Sequence, residues 1–251
     1  MQKYLIFQIY GILQSWGDTA VGEIRPGSRH PTKSAILGLL AGALGVTRER
    51  DEEHARMAES YSVAIRQDIS GTLTRDYHTV QTASAKKDRL YQCRSDLLNG
   101  MLNPGEDLHT IISYRDYLMD SCFGVCVWGK VDNLPYQLSE LAQALRQPVF
   151  VPYLGRKSCP PGLPFNPQVV ENENLKDALS MLPIDGKIAE ALVDGSKDTV
   201  ELTWDIDTNI GIQQLRVESS RDIPTSRRRW QFESREKNVG IISFPIHKEW
   251  K

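Results

Sequence analysis

Two short stretches of the chain place cations beside aromatic rings, Arg75-Asp76-Tyr77-His78 and Tyr114-Arg115-Asp116-Tyr117, and a third, Gly155-Arg156-Lys157, places two cations in a Gly-permitted turn. A planar guanidinium next to an aromatic ring binds phosphate and stacks on an unpaired base. The chemistry these residue types offer is recognition of single-stranded RNA. His78 adds a second option, because histidine is the commonest general acid or base near neutral pH. A lone histidine in a strand is more often a hydrogen-bonded structural residue, and the sequence pairs His78 with no recognisable catalytic partner. A fourth group lies near the amino terminus, where Arg25, Arg29 and Lys33 follow Gln14 and Trp16 and precede an apolar helix. A helix N-terminus and three cations together favour a phosphate. Arg227, Arg228 and Arg229, followed by Trp230, form the densest cation cluster. Such a run is usually solvated; here it suits a phosphate or an acidic neighbour equally.

The elements that must position these residues follow from pattern. Tyr4 to Tyr10 reads as a mostly buried strand. Ser34 to Gly45 reads as a helix, with Thr32 as its cap and Pro31 holding the entering chain extended. Gly38 and Gly42 share a helix face and predict close approach to a sheet. Residues 48 to 60 are helix-permissive. Strands are expected at 61–68 and 72–80 around a Ser70–Gly71 turn. In the second of these Arg75 and Tyr77 share one face, and Asp76 and His78 the other. Residues 81–112 carry Lys86, Lys87, Arg89 and Arg94 with little apolar periodicity, and a loop of that length is usually functional or disordered. Strands at 111–118 and 122–128, a helix at 136–147 and a strand at 149–154 complete a β-α-β-β-β-α-β order. In the first of these strands Arg115 and Tyr117 share a face opposite Tyr114 and Asp116. This order fits an α+β, ferredoxin-like or RNA-recognition-motif-like core with a long hairpin insertion. Beyond Pro-rich 159–167, a short helix at 174–182 and strands at 199–207, 210–217 and 239–244 predict a small, mainly β carboxy-terminal part. The domains are therefore drawn as 1–155, with a thumb at about 81–112, and 156–251.

Composition limits the possibilities. At 251 residues with a net charge of −2, the chain can bury a substantial core but is not globally basic. Any RNA contact must come from a local basic surface. Cys93, Cys122, Cys126 and Cys159 show no CxxC spacing. Cys122 and Cys126 sit four apart in an expected strand, which makes buried thiols the better reading and predicts no metal site. There is no Walker A, HExxH or GxSxG motif, and GLLAGALG lies inside a helix rather than opening one. The first apolar segment lacks a basic leader and is interrupted by Gln8, and no apolar run reaches the ~20 residues that span a bilayer. A soluble, cytoplasmic chain without a membrane partner is expected.

Five motifs in order resemble one family: LQSWG, then R-P-x-x-R-x-P-T-K-S running into GLLAGALG, then RDYHTV, YRDYLMDSCF and YLGRKSCP. They are similar to the CasD family, the subunit that holds the 5′ handle of the guide RNA in the type I-E CRISPR complex Cascade. The resemblance covers about the first two thirds of the chain. It implies a ferredoxin-like core with a protruding thumb and a non-catalytic role. The implied partners are the crRNA, the backbone and large Cascade subunits and, indirectly, target DNA, with no cofactor. The expected RNA-binding set is Gln14, Trp16, Arg25, Arg29, Lys33, Arg75, Tyr77, His78, Lys86, Arg115, Tyr117, Arg156 and Lys157. The rival is a metal-independent endoribonuclease. In the related type I-C system the equivalent subunit cuts repeat RNA with Tyr, Lys and His, types that Tyr77, His78 and Lys86 or Lys87 supply without a recognisable spacing.

Overall fold

In the computed structural model the described residues are 1–20, 22–83, 93, 95, 108–182, 199–206, 212–229 and 231–243. The molecule is a mixed α/β fold built on one large, mainly antiparallel sheet. Strand β1 (Gln2–Gln14) is buried along most of its length, because its continuous apolar run faces a core on each side. Leu5, Phe7 and Ile9 enter one core, Tyr4, Ile6 and Tyr10 the other. The chain then passes through three two-residue strands, β2 (Trp16–Gly17), β3 (Ile24–Arg25) and β4 (Gly27–Ser28).

Helix α1 (Lys33–Leu44) begins as its sequence predicts: Thr32 is extended and its hydroxyl accepts from the Ala35 amide. It ends on Gly45 at φ 82, the left-handed geometry that glycine adopts without strain. Its buried face carries Ile36, Leu37, Leu40 and Ala41. The glycine face does not approach a sheet. A Cβ on Gly38 would lie 3.4 Å from the Arg227 guanidinium, so this glycine makes room for an arginine.

Helix α2 (Asp51–Ser60), strand β5 (Tyr61–Ile69), strand β6 (Thr72–Ala83) and strand β7 (Leu108–Gly129) follow. The two strands expected at 111–118 and 122–128 are one 22-residue strand. Asp120 bends it at φ 52. Below the bend, residues from Leu108 to Met119 pair with β6; above it, β7 runs between β1 and β5. Cys122 and Cys126 are buried on that inner half, as their spacing predicts. Lys86, Lys87, Arg89, Arg94 and nearly all of the expected thumb lie outside the described residues, which include its two stems, β6 and β7.

Helix α3 (Leu138–Arg146) buries Leu138, Leu141, Ala142 and Leu145, the face its spacing predicts. The strand expected at 149–154 is irregular chain instead. Pro148 and Pro152 have no N–H, and the Val149 and Phe150 amides are spent on the α1 carbonyls of Ala43 and Gly42. Strand β8 (Gln168–Asn172), helix α4 (Leu175–Ser180) and strands β9 (Thr199–Asp205), β10 (Gln214–Ser226) and β11 (Gln231–Ser243) complete the order. The sheet runs β10-β11-β9-β5-β7-β1-β8, with β6 and β3 also on β7. The carboxy-terminal strands therefore join the same sheet, through β5–β9 and β1–β8. The β10–β11 hairpin is longer than expected; its middle is polar and β10 is an edge, where Pro224 needs no ladder amide.

One buried charge ties the layers together. Arg66 on β5 is fully buried and ion-paired to Asp68. Its Nη1 and Nη2 donate to the carbonyls of Leu179 and Leu182, at and just beyond the end of α4. Gly124 on the neighbouring strand leaves the space: a Cβ there would sit 3.0 Å from the guanidinium. Removing one partner of a buried pair costs about 3–5 kcal/mol, because the other charge stays buried. Arg66→Met should therefore lower the unfolding free energy by about that amount in urea titration, and adding Asp68→Leu should restore a good part of it. A loss below about 1 kcal/mol for Arg66→Met would contradict this role.

Candidate nucleic-acid interface

Six of the expected site residues, Arg25, Arg75, Tyr77, His78, Arg115 and Tyr117, lie on the ribbon formed by β3, β6 and the outer half of β7. The register fixes which side chains share a face. Tyr77 lies opposite Tyr114 and Arg75 opposite Asp116, while Asp76 lies opposite Arg115, Thr74 opposite Tyr117 and His78 opposite Ser113. Because alternate residues face opposite sides, the ribbon has an aromatic face and a cationic face.

On the aromatic face the Tyr77 and Tyr114 rings are 5.5 Å apart. Arg75 grips Asp116 with two bonds, Nε to Oδ1 at 2.7 Å and Nη2 to Oδ2 at 3.1 Å. The Gly27 amide adds a third to Oδ2 at 3.3 Å. The Arg75 hydrogen bonds hold the nearly buried Asp116 carboxyl below the usual carboxylate range. Arg75 is thus half of an ion pair that fastens β6 and the β4 turn to β7.

On the cationic face Arg25 pairs in parallel register with Arg115. Neighbouring strands lie about 4.8 Å apart, so two guanidinium side chains start from adjacent backbone positions. Arg25 reaches back to the Gly22 and Ile24 carbonyls, and Arg115 Nε is enclosed with no hydrogen-bond partner among the described residues. Two positions along β7, on the same face, the Arg156 guanidinium lies 5.3 Å from the Tyr117 ring centroid. Its Nη1 is 3.5 Å from the Tyr117 hydroxyl. Gly155 sets this contact. At φ 84, a Cβ there would lie 1.9 Å from the Ser15 carbonyl, so only glycine allows the loop to pack this closely. Lys157 is exposed beside it, and Arg29 is exposed near the start of α1. His78 Nε2 lies 2.7 Å from Asp76 Oδ2 on this face without hydrogen-bond geometry.

Other expected residues have different places. Gln14 is fully buried; its Nε2 donates to the Ser121 carbonyl and its Oε1 accepts from the Trp16 indole at 2.9 Å. Both side chains hold the loop entry together rather than line a surface. Lys33 is also buried: its Nζ lies 2.7 Å from Asp205 Oδ2. Arg235 bridges the same Asp205 at 3.0 Å and Asp222 at 2.7 Å, and Asp222 accepts from the Lys33 amide. Burial draws the Lys33 pKa down while Asp205 opposes the shift. The start of α1 is therefore filled by the molecule's own carboxylates. Lys86 lies outside the described residues. Arg227 is engaged too, donating to the Ser34 carbonyl at 2.7 Å, with its guanidinium 5.5 Å from the Phe232 ring centroid. Sequence reasoning missed Asp116 as the clamp, and missed the β3–β7 pairing. A two-residue strand in a polar loop leaves no periodic signal.

Among the described residues no helix is long and apolar enough to cross a membrane, and no group of three His, Cys, Asp or Glu residues is placed to hold a metal. The model of the family described as CRISPR-associated protein (Cas_Cas5) matches residues 4–239. The CRISPR system Cascade subunit CasD of Escherichia coli (strain K12) is 35% identical over 168 residues, 64% of this chain and 68% of its own length. A chain from a CRISPR RNA-guided surveillance complex superposes with a TM-score of 0.65 at 21% identity, covering 96% of this chain and 90% of that one. The crystal structure of a Cas protein gives 0.58 at 23% identity, covering 94% and 95%. At those identities the two structures speak for the fold alone. The family match spans almost the whole chain and takes in both the ribbon and the Gly155 loop: the chain belongs to the Cas5 family of CRISPR-associated proteins.

Proposed function

We propose that this chain is the subunit that clamps the 5′ handle of a CRISPR guide RNA. In this reading it closes one end of a Cascade-type surveillance complex, beside the backbone and large subunits, and meets target DNA only through that assembly. The observation that carries the reading is the cationic face. Arg25 and Arg115 are in register, with Asp76 on β6 opposite Arg115 as the carboxylate on that face; like charges opposite one another repel, and a further anion between the two guanidiniums relieves this. A phosphate of single-stranded RNA is such an anion, and Tyr117 with Arg156 offers a stacking platform next to it. The proposed contacts are Arg25, Arg115, Tyr117, Arg156 and Lys157, with Arg29 and His78 at the margin. Gln14, Trp16 and Lys33 act in the folding of that surface, and Arg75 and Tyr77 belong to the opposite face.

A ferredoxin-like core is supported by the order β8-β1-β7-β5, with α1 following β1 and α3 following β7. Since β8 completes this order, the boundary of the core in this reading moves from 155 to after Asn172. A non-catalytic role is supported by geometry. Tyr77 and His78 point to opposite faces of the ribbon, so they do not meet at one phosphodiester.

Two measurements test the reading. Each phosphate contact on a single strand adds about 0.7 to the log–log slope of affinity against salt. Replacing Arg25, Arg115 and Arg156 together by Ala should flatten the slope for 5′-handle RNA by about two and weaken binding at low salt. An unchanged slope in a folded variant would contradict the interface. Repeat-containing RNA incubated with the chain in chelator should stay intact. Cutting at one phosphodiester, abolished by a 2′-deoxy group there and by His78→Ala, would establish the nuclease instead.

A further inference from the structure

A carboxylate stands on the face that the guide-RNA reading gives to a polyanion. Strands β3 and β6 and the outer half of β7, from Leu108 to Met119, contain two acidic residues, Asp76 and Asp116. Asp116 is buried on the aromatic face, and its oxygens are taken by Arg75 and the Gly27 amide. Asp76 lies on the cationic face, directly opposite Arg115, and its side chain is 53% exposed. A negative charge in that place repels phosphate.

Among the described residues Asp76 fastens nothing. It forms no ion pair with Arg115 across the ladder, and Arg115 Nε has no hydrogen-bond partner. Its one ion-pair contact is His78 Nε2, 2.7 Å from Oδ2 and without hydrogen-bond geometry. Oδ1 is left with no hydrogen bond or ion pair among the described residues. The side chain is therefore available to a ligand.

An ionised carboxylate only accepts hydrogen bonds, so what it recognises on a nucleic acid is a donor. A single strand of RNA offers two kinds, the ribose 2′-hydroxyl and the N–H groups of the base edges. Proximity separates them. Opposite residues of an antiparallel pair have Cβ atoms about 4.5–5.5 Å apart, so a phosphate held by Arg115 lies within a side chain's reach of Asp76. The 2′-hydroxyl sits on the carbon next to the one that bears the 3′-phosphate, whereas the base edges lie beyond the sugar. The stacking platform for a base, Tyr117 with Arg156, is two positions further along β7.

We propose that Asp76 reads the ribose. Its carboxylate accepts the 2′-hydroxyl of the nucleotide whose 3′-phosphate Arg115 holds, and this makes the face selective for RNA over DNA. The inference rests on the guide-RNA reading above and adds a residue that selects where its neighbours attract. A deoxyribose strand would leave the carboxylate unanswered beside a phosphate, a repulsion that excludes the wrong ligand.

The test measures binding of the full chain to 5′-handle RNA carrying one 2′-fluoro group at each position in turn, which removes the donor and keeps the ribose pucker. One position should weaken binding at least about tenfold, the size expected of a hydrogen bond to a charged group. In a folded Asp76→Ala variant that position should match its neighbours, and an all-deoxy handle should bind more tightly than it does to the unaltered chain. The absence of any sensitive position overturns the inference and leaves the guide-RNA reading standing. So does a sensitive position that persists in Asp76→Ala, or an equal rise in affinity for RNA and DNA, the mark of a merely repulsive carboxylate. An unaltered chain that does not bind handle RNA overturns both readings.

Discussion

Strand β7 carries two incompatible duties, and the arrangement of the molecule follows from how they are separated. Its inner half, from Cys122 to Trp128, is buried on both faces between β1 and β5 and must be apolar. Its outer half pairs with β6 beyond the edge of the cores and must be polar enough to live in water. The bend at Asp120, with φ 52, divides the two. Below it, Asp116 is the one nearly buried carboxylate that ties the ribbon down, through Arg75 and the Gly27 amide. With Asp116 satisfied on one face, Arg115 and Tyr117 are presented on the other.

The same economy governs the cations. A chain of net charge −2 binds a polyanion only if its basic groups are sorted. Arg66 is committed to Asp68 and the end of α4, Lys33 to Asp205, Arg235 to Asp205 and Asp222, and Arg75 to Asp116. The first three are interior fasteners, while Arg75 is itself exposed and holds a nearly buried Asp116. Arg25, Arg115, Arg156 and Lys157 have no such carboxylate among the described residues, and all belong to the ribbon and the adjoining Gly155 loop.

Much of this was legible from residues. The Thr32 cap, the buried face of α3, the buried thiols of β7 and the alternation within β6 and the outer half of β7 all rest on local period or local capping. Those signals survive folding because each is decided within a few residues. What failed was non-local. Lys33 looks like a phosphate ligand beside Arg25 and Arg29 until Asp205, far along the chain, folds onto it. Val149 to Leu154 reads as a strand because its β-branched residues hide the fact that two prolines and α1 have taken its ladder. The parallel pairing that sets Arg25 beside Arg115 spans two residues, too short to leave a pattern.

The central claim is that the ribbon has an RNA face and a structural face, and tyrosines sit on both. Ultraviolet cross-linking of the assembled ribonucleoprotein, with adducts mapped by mass spectrometry, distinguishes them directly. The account predicts nucleotide adducts on Tyr117 and none on Tyr77 or Tyr114. Adducts on Tyr77 and Tyr114 with Tyr117 unmodified would place the RNA on the opposite face and contradict it.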